Sequence, residues 1–163
     1  MNTVDISEVL LPEMTILDKE TFADKDELFA FMSEKFAENG IVTDAKKFEE
    51  ALHAREAEGP TYIGNLLAMP HGICDEVVKP GVGFCRVNTP FLYQSHGEEG
   101  EVKFIFTMAI VGEDGKMQHL RILAALARLL AHEEFLEVLG KVQSYDEIIE
   151  AIKKTEQEVE ICT

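Results

Sequence analysis

Apolar and polar positions along the chain change rhythm twice. A short apolar run at 14–17 (MTIL) predicts a first strand. Asp24 followed by Glu27 resembles a capping pair, and behind it Leu28, Met32 and Phe36 recur at helical spacing until Asn39-Gly40. Thr43 is placed to cap a second helix, with Phe48, Ala51 and Leu52 inward and Gly59-Pro60 as its end. The texture then becomes strand-like. Residues 63–69, 82–87 and 102–111 are short, rich in Val, Ile and Phe, and bounded by Gly, Pro or Asn. A turn is expected at 112–115 (GEDG). Beyond it Leu120, Leu123, Ala124, Ala127 and Leu130 predict the inner face of an amphipathic helix starting near Lys116. Ser144 with Glu147 reads as a capping box for a last helix carrying Ile148, Ile149 and Ile152, and the polar stretch from Thr155 is expected to fray.

Two helices and a strand, then strands, then helices predict an α/β domain whose helices cover the sheet. No repeat or linker divides the 163 residues, so a single domain over 1–155 with a polar tail at 156–163 is expected.

Composition narrows the partners. Fifteen basic against 31 acidic side chains give a net charge of −16, a field that repels nucleic acid and anionic membranes. Any anion handled here needs a local positive device. The longest uncharged apolar run, 104–112, is far short of the roughly 20 residues of a membrane span. The opening MNTVDISEVLLPE has no basic then apolar pattern, so no signal peptide is expected. Cys74, Cys85 and Cys162 have neither disulfide-framework nor C-x-x-C spacing, which points to a reducing, cytoplasmic address.

Of five histidines, His53, His96 and His132 read as surface or boundary residues. His71 follows Pro70 and precedes Gly72, so a strand ending in Pro-His-Gly is expected to present its imidazole on a turn. His119 falls near the start of the 116–130 helix, where free backbone N–H groups favour an anion. On the residues alone, His71 stands open between a loop histidine without a role and a functional one, and His119 reads first as a partly buried helix residue. His71-x-x-Cys74 with His119 could form a metal set, but no second paired motif accompanies H-x-x-C, and no metal is expected. Neither a P-loop nor G-x-G-x-x-G occurs, so nucleotide binding has no support and no cofactor is expected.

Glu56, six residues, then Ile63-Gly64-x-x-Leu67-Ala68-Met69-Pro70-His71-Gly72 resembles the phosphohistidine motif of the fructose/mannitol-type enzyme IIA components of the bacterial sugar phosphotransferase system. Arg55-Glu56 ahead of Thr61, and His119-Leu120 with the leucines behind it, resemble the flanking features of that family over about the whole chain. The resemblance implies a mixed parallel/antiparallel sheet flanked by helices on both faces. It implies that His71 becomes a tele-phosphohistidine, taking the phosphoryl group from the phosphocarrier HPr and giving it to a cysteine of a sugar-specific IIB partner that works with IIC. His119 would stabilise the phosphorylated imidazole and Arg55 would neutralise phosphoryl oxygens; Thr61 and Asn65 are possible contacts. Leu66 stands where many members have a second glycine, and Pro60 where a small polar residue is usual. A regulatory, nitrogen-type IIA protein sharing the motif is the alternative.

Overall fold

The computed structural model describes residues 5–112 and 116–162. Helix α1 (Ile6–Val9) leads into strand β1 (Leu10–Lys19), followed by α2 (Lys25–Glu38) and α3 (Ala45–Glu58). Strands β2 (Tyr62–Gly64), β3 (Leu67–Ala68), β4 (His71–Cys74), β5 (Gly81–Ser95) and β6 (Glu98–Val111) come next. Helices α4 (Lys116–Leu130), α5 (Glu133–Leu139) and α6 (Tyr145–Cys162) complete the order.

The sheet runs β1-β5-β6-β3-β2, with β4 also on β6. β5 and β6 form a long antiparallel hairpin; β1 joins β5 in parallel, and β3 and β4 join β6 in parallel one after the other. The sheet is therefore mixed. Alternation along β6 sorts the core: Phe104, Phe106, Met108 and Ile110 pack with α4, α5 and α6, while Ile105 and Ala109 pack with α2 and α3. Helices cover both faces, as expected.

Several local expectations shift. Asp24 does cap α2, accepting from the Glu27 N–H at 2.9 Å. At α3 the cap is Asp44, not Thr43: the Asp44 carboxylate accepts from Lys47 N–H, while the Thr43 N–H donates to the Glu76 carbonyl. The β5–β6 hairpin extends well beyond 82–87 and 102–111, because a register shift between Arg86 and Phe91 absorbs the Asn88-Thr89-Pro90 interruption. His96 and Gly97, at φ 53° and 77°, make its two-residue turn. Helices α1 and α5, unforeseen, are short. The stretch after Thr155 continues α6 to Cys162 where a frayed tail was expected. The turn expected at 112–115 lies outside the described residues apart from Gly112.

Two corrections bear on the site. The segment 63–69 is not one strand but a β2–β3 hairpin turning at Asn65 and Leu66, whose φ values are 54° and 67°. A leucine at that left-handed position costs roughly 1–2 kcal/mol, the physical reason a glycine is favoured there. His71, in turn, is not on a turn. Pro70 interrupts the ladder by one N–H only, its carbonyl still accepts from Met108 N–H at 3.0 Å, and His71 opens β4 opposite Met108.

On α4 the buried stripe is Ile122, Ala125, Leu126, Leu129 and Leu130, whereas Leu120 is 59% exposed and Ala124 and Ala127 face solvent. The sequence HLRILAALARLL carries two overlapping apolar stripes, and the one with the bulkier side chains is buried. This rotation matters for His119, which lies three residues before Ile122 and seven before Leu126, on the inward stripe.

Gly72 serves close packing. A Cβ there would lie 3.1 Å from both the Ala51 Cβ and the Phe48 ring and 3.3 Å from Leu52 N. Helix α3 thus rides directly on β4. Gly72→Val is expected to lower the unfolding free energy by about 1–3 kcal/mol in a urea titration, because α3 must lift off the strand.

Candidate functional site

The site forms where α3 and α4 meet β4. His71 is 5% exposed and its Nδ1 lies 3.1 Å from the Met69 carbonyl, across Pro70. A carbonyl only accepts, so Nδ1 carries the proton and Nε2 keeps its lone pair. Arg55, in the last turn of α3, donates from Nε to that Nε2 at 3.0 Å, and its Nη1 donates to the Gly59 carbonyl at 2.8 Å. The two contacts agree on one tautomer.

His119 approaches from the α4 side, its ring 4.6 Å from the His71 ring at an angle of 49°. Its Nε2 is buried and has no hydrogen-bond partner among the described residues. Such an orphaned ring nitrogen is costly unless something else supplies a partner. Burial, then the neighbouring His71 and Arg55, push the His119 pKa down to about 4. Burial also lowers that of His71; the Met69 carbonyl bond works against the shift and the Arg55 charge adds to it. Both imidazoles are therefore neutral near pH 7.

The structure brings together His71, Arg55 and His119. Thr61 is buried but turned away, its N–H and Oγ1 donating to the Glu56 carboxylate at 3.0 and 2.5 Å. Asn65 occupies the exposed β2–β3 turn, with no hydrogen bond to any of the three. Cys74 lies three residues along β4 from His71, so their side chains take opposite faces of the sheet. Among the described residues no three His, Cys, Asp or Glu side chains are grouped to hold a metal ion.

Sequence reasoning missed the support. Glu56 belongs to the motif but received no role; Tyr93 and Ser95 were not considered. Tyr93 OH and Ser95 Oγ reach the Glu56 carboxylate at 3.1 and 2.6 Å, and His96 Nε2 lies 2.6 Å from the Glu56 backbone carbonyl. The alternation Phe91, Tyr93, Ser95 was the available signal, since it places three residues on one face of a strand.

Neutral, tautomer-fixed His71 whose unprotonated Nε2 meets one guanidinium, beside an unsatisfied second imidazole, defines a site that can carry an anionic electrophile such as a phosphoryl group. Comparison with known proteins sharpens that class. Residues 8–155 match the family model described as "Phosphoenolpyruvate-dependent sugar phosphotransferase system, EIIA 2", and the chain belongs to this family. It is 33% identical over 137 residues to the fructose-specific EIIA component of Haloferax volcanii, covering 84% of this chain and 87% of that protein. The IIA-Ntr nitrogen regulatory protein of Neisseria meningitidis superposes with a TM-score of 0.79 at 27% identity, over 90% of this chain and 98% of the other. IIA mannitol of Escherichia coli gives 0.72 at 28%, over 88% and 98%. EIIA components are phosphotransferases, and this chain is a phosphoryl carrier of that system. No helix among the described residues is long and apolar enough to cross a membrane.

The depressed histidines set an acid limb. A histidine whose pKa falls on folding contributes stability above its unfolded value near 6.5, lost as pH drops toward the folded value. His119→Asn is therefore expected to lose less stability than the parent between pH 6.5 and 4.5, measured by denaturant unfolding at each pH.

Proposed function

We propose that His71 is the phosphoryl acceptor. The Arg55 N–H shifts from His71 Nε2 to the incoming phosphoryl oxygens. The freed Nε2 lone pair attacks the phosphorus of a phosphohistidine on HPr; the new N–P bond forms as the donor's breaks, and the bond pair returns to the donor imidazole. Each ring keeps its other proton, held on His71 by the Met69 carbonyl. In the second half-reaction a cysteine thiolate of IIB attacks the same phosphorus and the electron pair returns to Nε2. A solved complex of E. coli IIAMTL with phosphorylated IIBMTL, whose IIA chain is 26% identical to this one at a TM-score of 0.73, supports that partner.

The observation that carries the reading is the pairing of the Met69 and Arg55 contacts on the two ring nitrogens, which leaves Nε2 as the nucleophile. Phosphoryl transfer needs positioning and charge stabilisation more than covalent help. Arg55 provides the positive device that a chain of net charge −16 requires, its planar fork matching phosphoryl oxygens. His119, neutral and with Nε2 unpartnered, donates a hydrogen bond to the phosphoryl group. Met117 on α4 is 61% exposed, Leu120 59% and Ile63 on β2 51%; they offer apolar contact to the docking proteins. A cytoplasmic address follows from such partners.

The IIA-Ntr likeness favours one alternative, a regulatory carrier with no IIB acceptor. Transfer from the phosphorylated chain to the cysteine of a IIB domain separates the two readings. His71→Ala is expected to abolish acid-labile, base-stable labelling by phospho-HPr. Arg55→Lys should leave thermal unfolding unchanged and slow transfer roughly tenfold or more, the loss of a charge-assisted fork. Persistent labelling of His71→Ala removes the assignment.

A further inference from the structure

Among the described residues Glu56 is the one buried acidic side chain, 4% exposed, and it follows Arg55 directly in α3. Both oxygens are saturated with donors: Oε1 by Thr61 Oγ1 and Tyr93 OH, Oε2 by Thr61 N–H and Ser95 Oγ. Burial alone would push this carboxyl up, but the bonds from Ser95, Thr61 and Tyr93 outweigh it and hold it below the usual value. Among the described residues no cation neutralises it. Arg55 spends its guanidinium on His71 and the Gly59 carbonyl, and no ion pair reaches Glu56 among the described residues. A carboxylate held by hydroxyls and an amide keeps its full negative charge, whereas a salt-bridged one is offset by its partner.

Glu56 is linked to His71 by short steps. Arg55 beside it donates from Nε to His71 Nε2 at 3.0 Å. Thr61, whose N–H the carboxylate holds, accepts at its carbonyl from the Met69 N–H, and the Met69 carbonyl meets His71 Nδ1. The charged groups bearing on His71 are Arg55, Glu56 and Glu58 from α3, with the His119 ring 4.6 Å away on α4. Glu58 is exposed and screened by solvent; Glu56 is shielded from it. We propose that the Glu56 carboxylate sets the phosphoryl-transfer potential of His71: its fixed negative charge opposes the dianion on Nε2 and keeps the group transferable. This rests on His71 being the phosphoryl acceptor. Arg55 and His119 stabilise the phosphohistidine, and without an opposing charge the site would hold the phosphoryl group too tightly to relay it. Glu56 is thus a tuning residue that touches neither phosphorus nor nucleophile.

The test is the equilibrium of transfer between phospho-HPr and this chain, measured with Glu56→Gln at fixed pH. Glutamine is nearly isosteric, and the Thr61 and Tyr93 hydroxyls can rotate to accept from its amide. The equilibrium is expected to shift toward the phosphorylated chain by on the order of tenfold, with slower onward transfer to IIB. The His71 pKa, followed by NMR titration of the unphosphorylated protein, should fall further below its parent value, a readout that loss of packing alone would not move in that direction. Ser95→Lys supplies the second variant. Ser95 borders an open cavity of about 390 Å³ lined by Lys25, His53, Glu56, Gln94 and His96, so a lysine has room to reach the carboxylate and offset it. The same direction of shift is expected, and this variant decides if Glu56→Gln fails to fold. Unchanged transfer equilibrium and unchanged His71 pKa overturn the tuning role while phosphorylation of His71 stands. Absence of phosphate from His71 in the parent chain overturns both.

Discussion

One hydrogen bond organises the site: His71 Nδ1 to the Met69 carbonyl at 3.1 Å, spanning Pro70. Proline at the middle position has no N–H to offer the β6 ladder, so pairing is interrupted at the Met69–Pro70 peptide, whose carbonyl meets the ring instead. The imidazole is thereby tied to the strand that carries it. Everything else in the site approaches a ring whose tautomer and orientation are already set, and preorganisation of this kind is what group transfer rewards.

Two helices then bring their groups to that ring by different means. Helix α3 comes close because Gly72 has no side chain, and its last turn is fastened through Glu56 to Thr61, Tyr93 and Ser95 and through its carbonyl to His96. Helix α4 arrives by rotation: burying Ile122, Leu126 and Leu129 turns His119 inward and leaves Met117 and Leu120 outside. The same packing choice therefore supplies both the second imidazole and an apolar rim beside it. On β5, opposite Phe104, Arg86 donates to the Leu139 and Val142 carbonyls at 2.9 and 2.7 Å, tying the α5–α6 connection to the strand. It holds the helical layer against the strands through backbone acceptors alone.

Helical spacing and Val-, Ile- and Phe-rich runs bounded by Gly, Pro or Asn were enough to foresee α2, α3, α4, α6 and the middle of the sheet. Elements whose formation depends on partners were harder to read. Strand β5 runs through Asn88-Thr89-Pro90 only because a bulge lets the hairpin re-register, and the inward face of α4 depended on which of two stripes met the sheet. In the site, Arg55, His71 and His119 were legible through the motif and its flanks. The geometry was not. Sequence grammar put His71 on a turn, whereas β4 resumes the ladder beyond Pro70 and buries the ring. Thr61 was in view as a contact but serves the Glu56 carboxylate; alternation along β5 puts Tyr93 and Ser95 on one face, yet nothing local names their partner.

Phosphoryl carriage by His71 requires a neutral ring, with Nδ1 protonated and Nε2 unprotonated. Nitrogen-15 NMR of the unphosphorylated protein at pH 7, correlating the ring nitrogens of His71 with its carbon-bound protons, reads this directly. The structure predicts a protonated, pyrrole-like Nδ1 and a pyridine-like Nε2. A protonated Nε2, in either the reverse tautomer or the imidazolium, would contradict it.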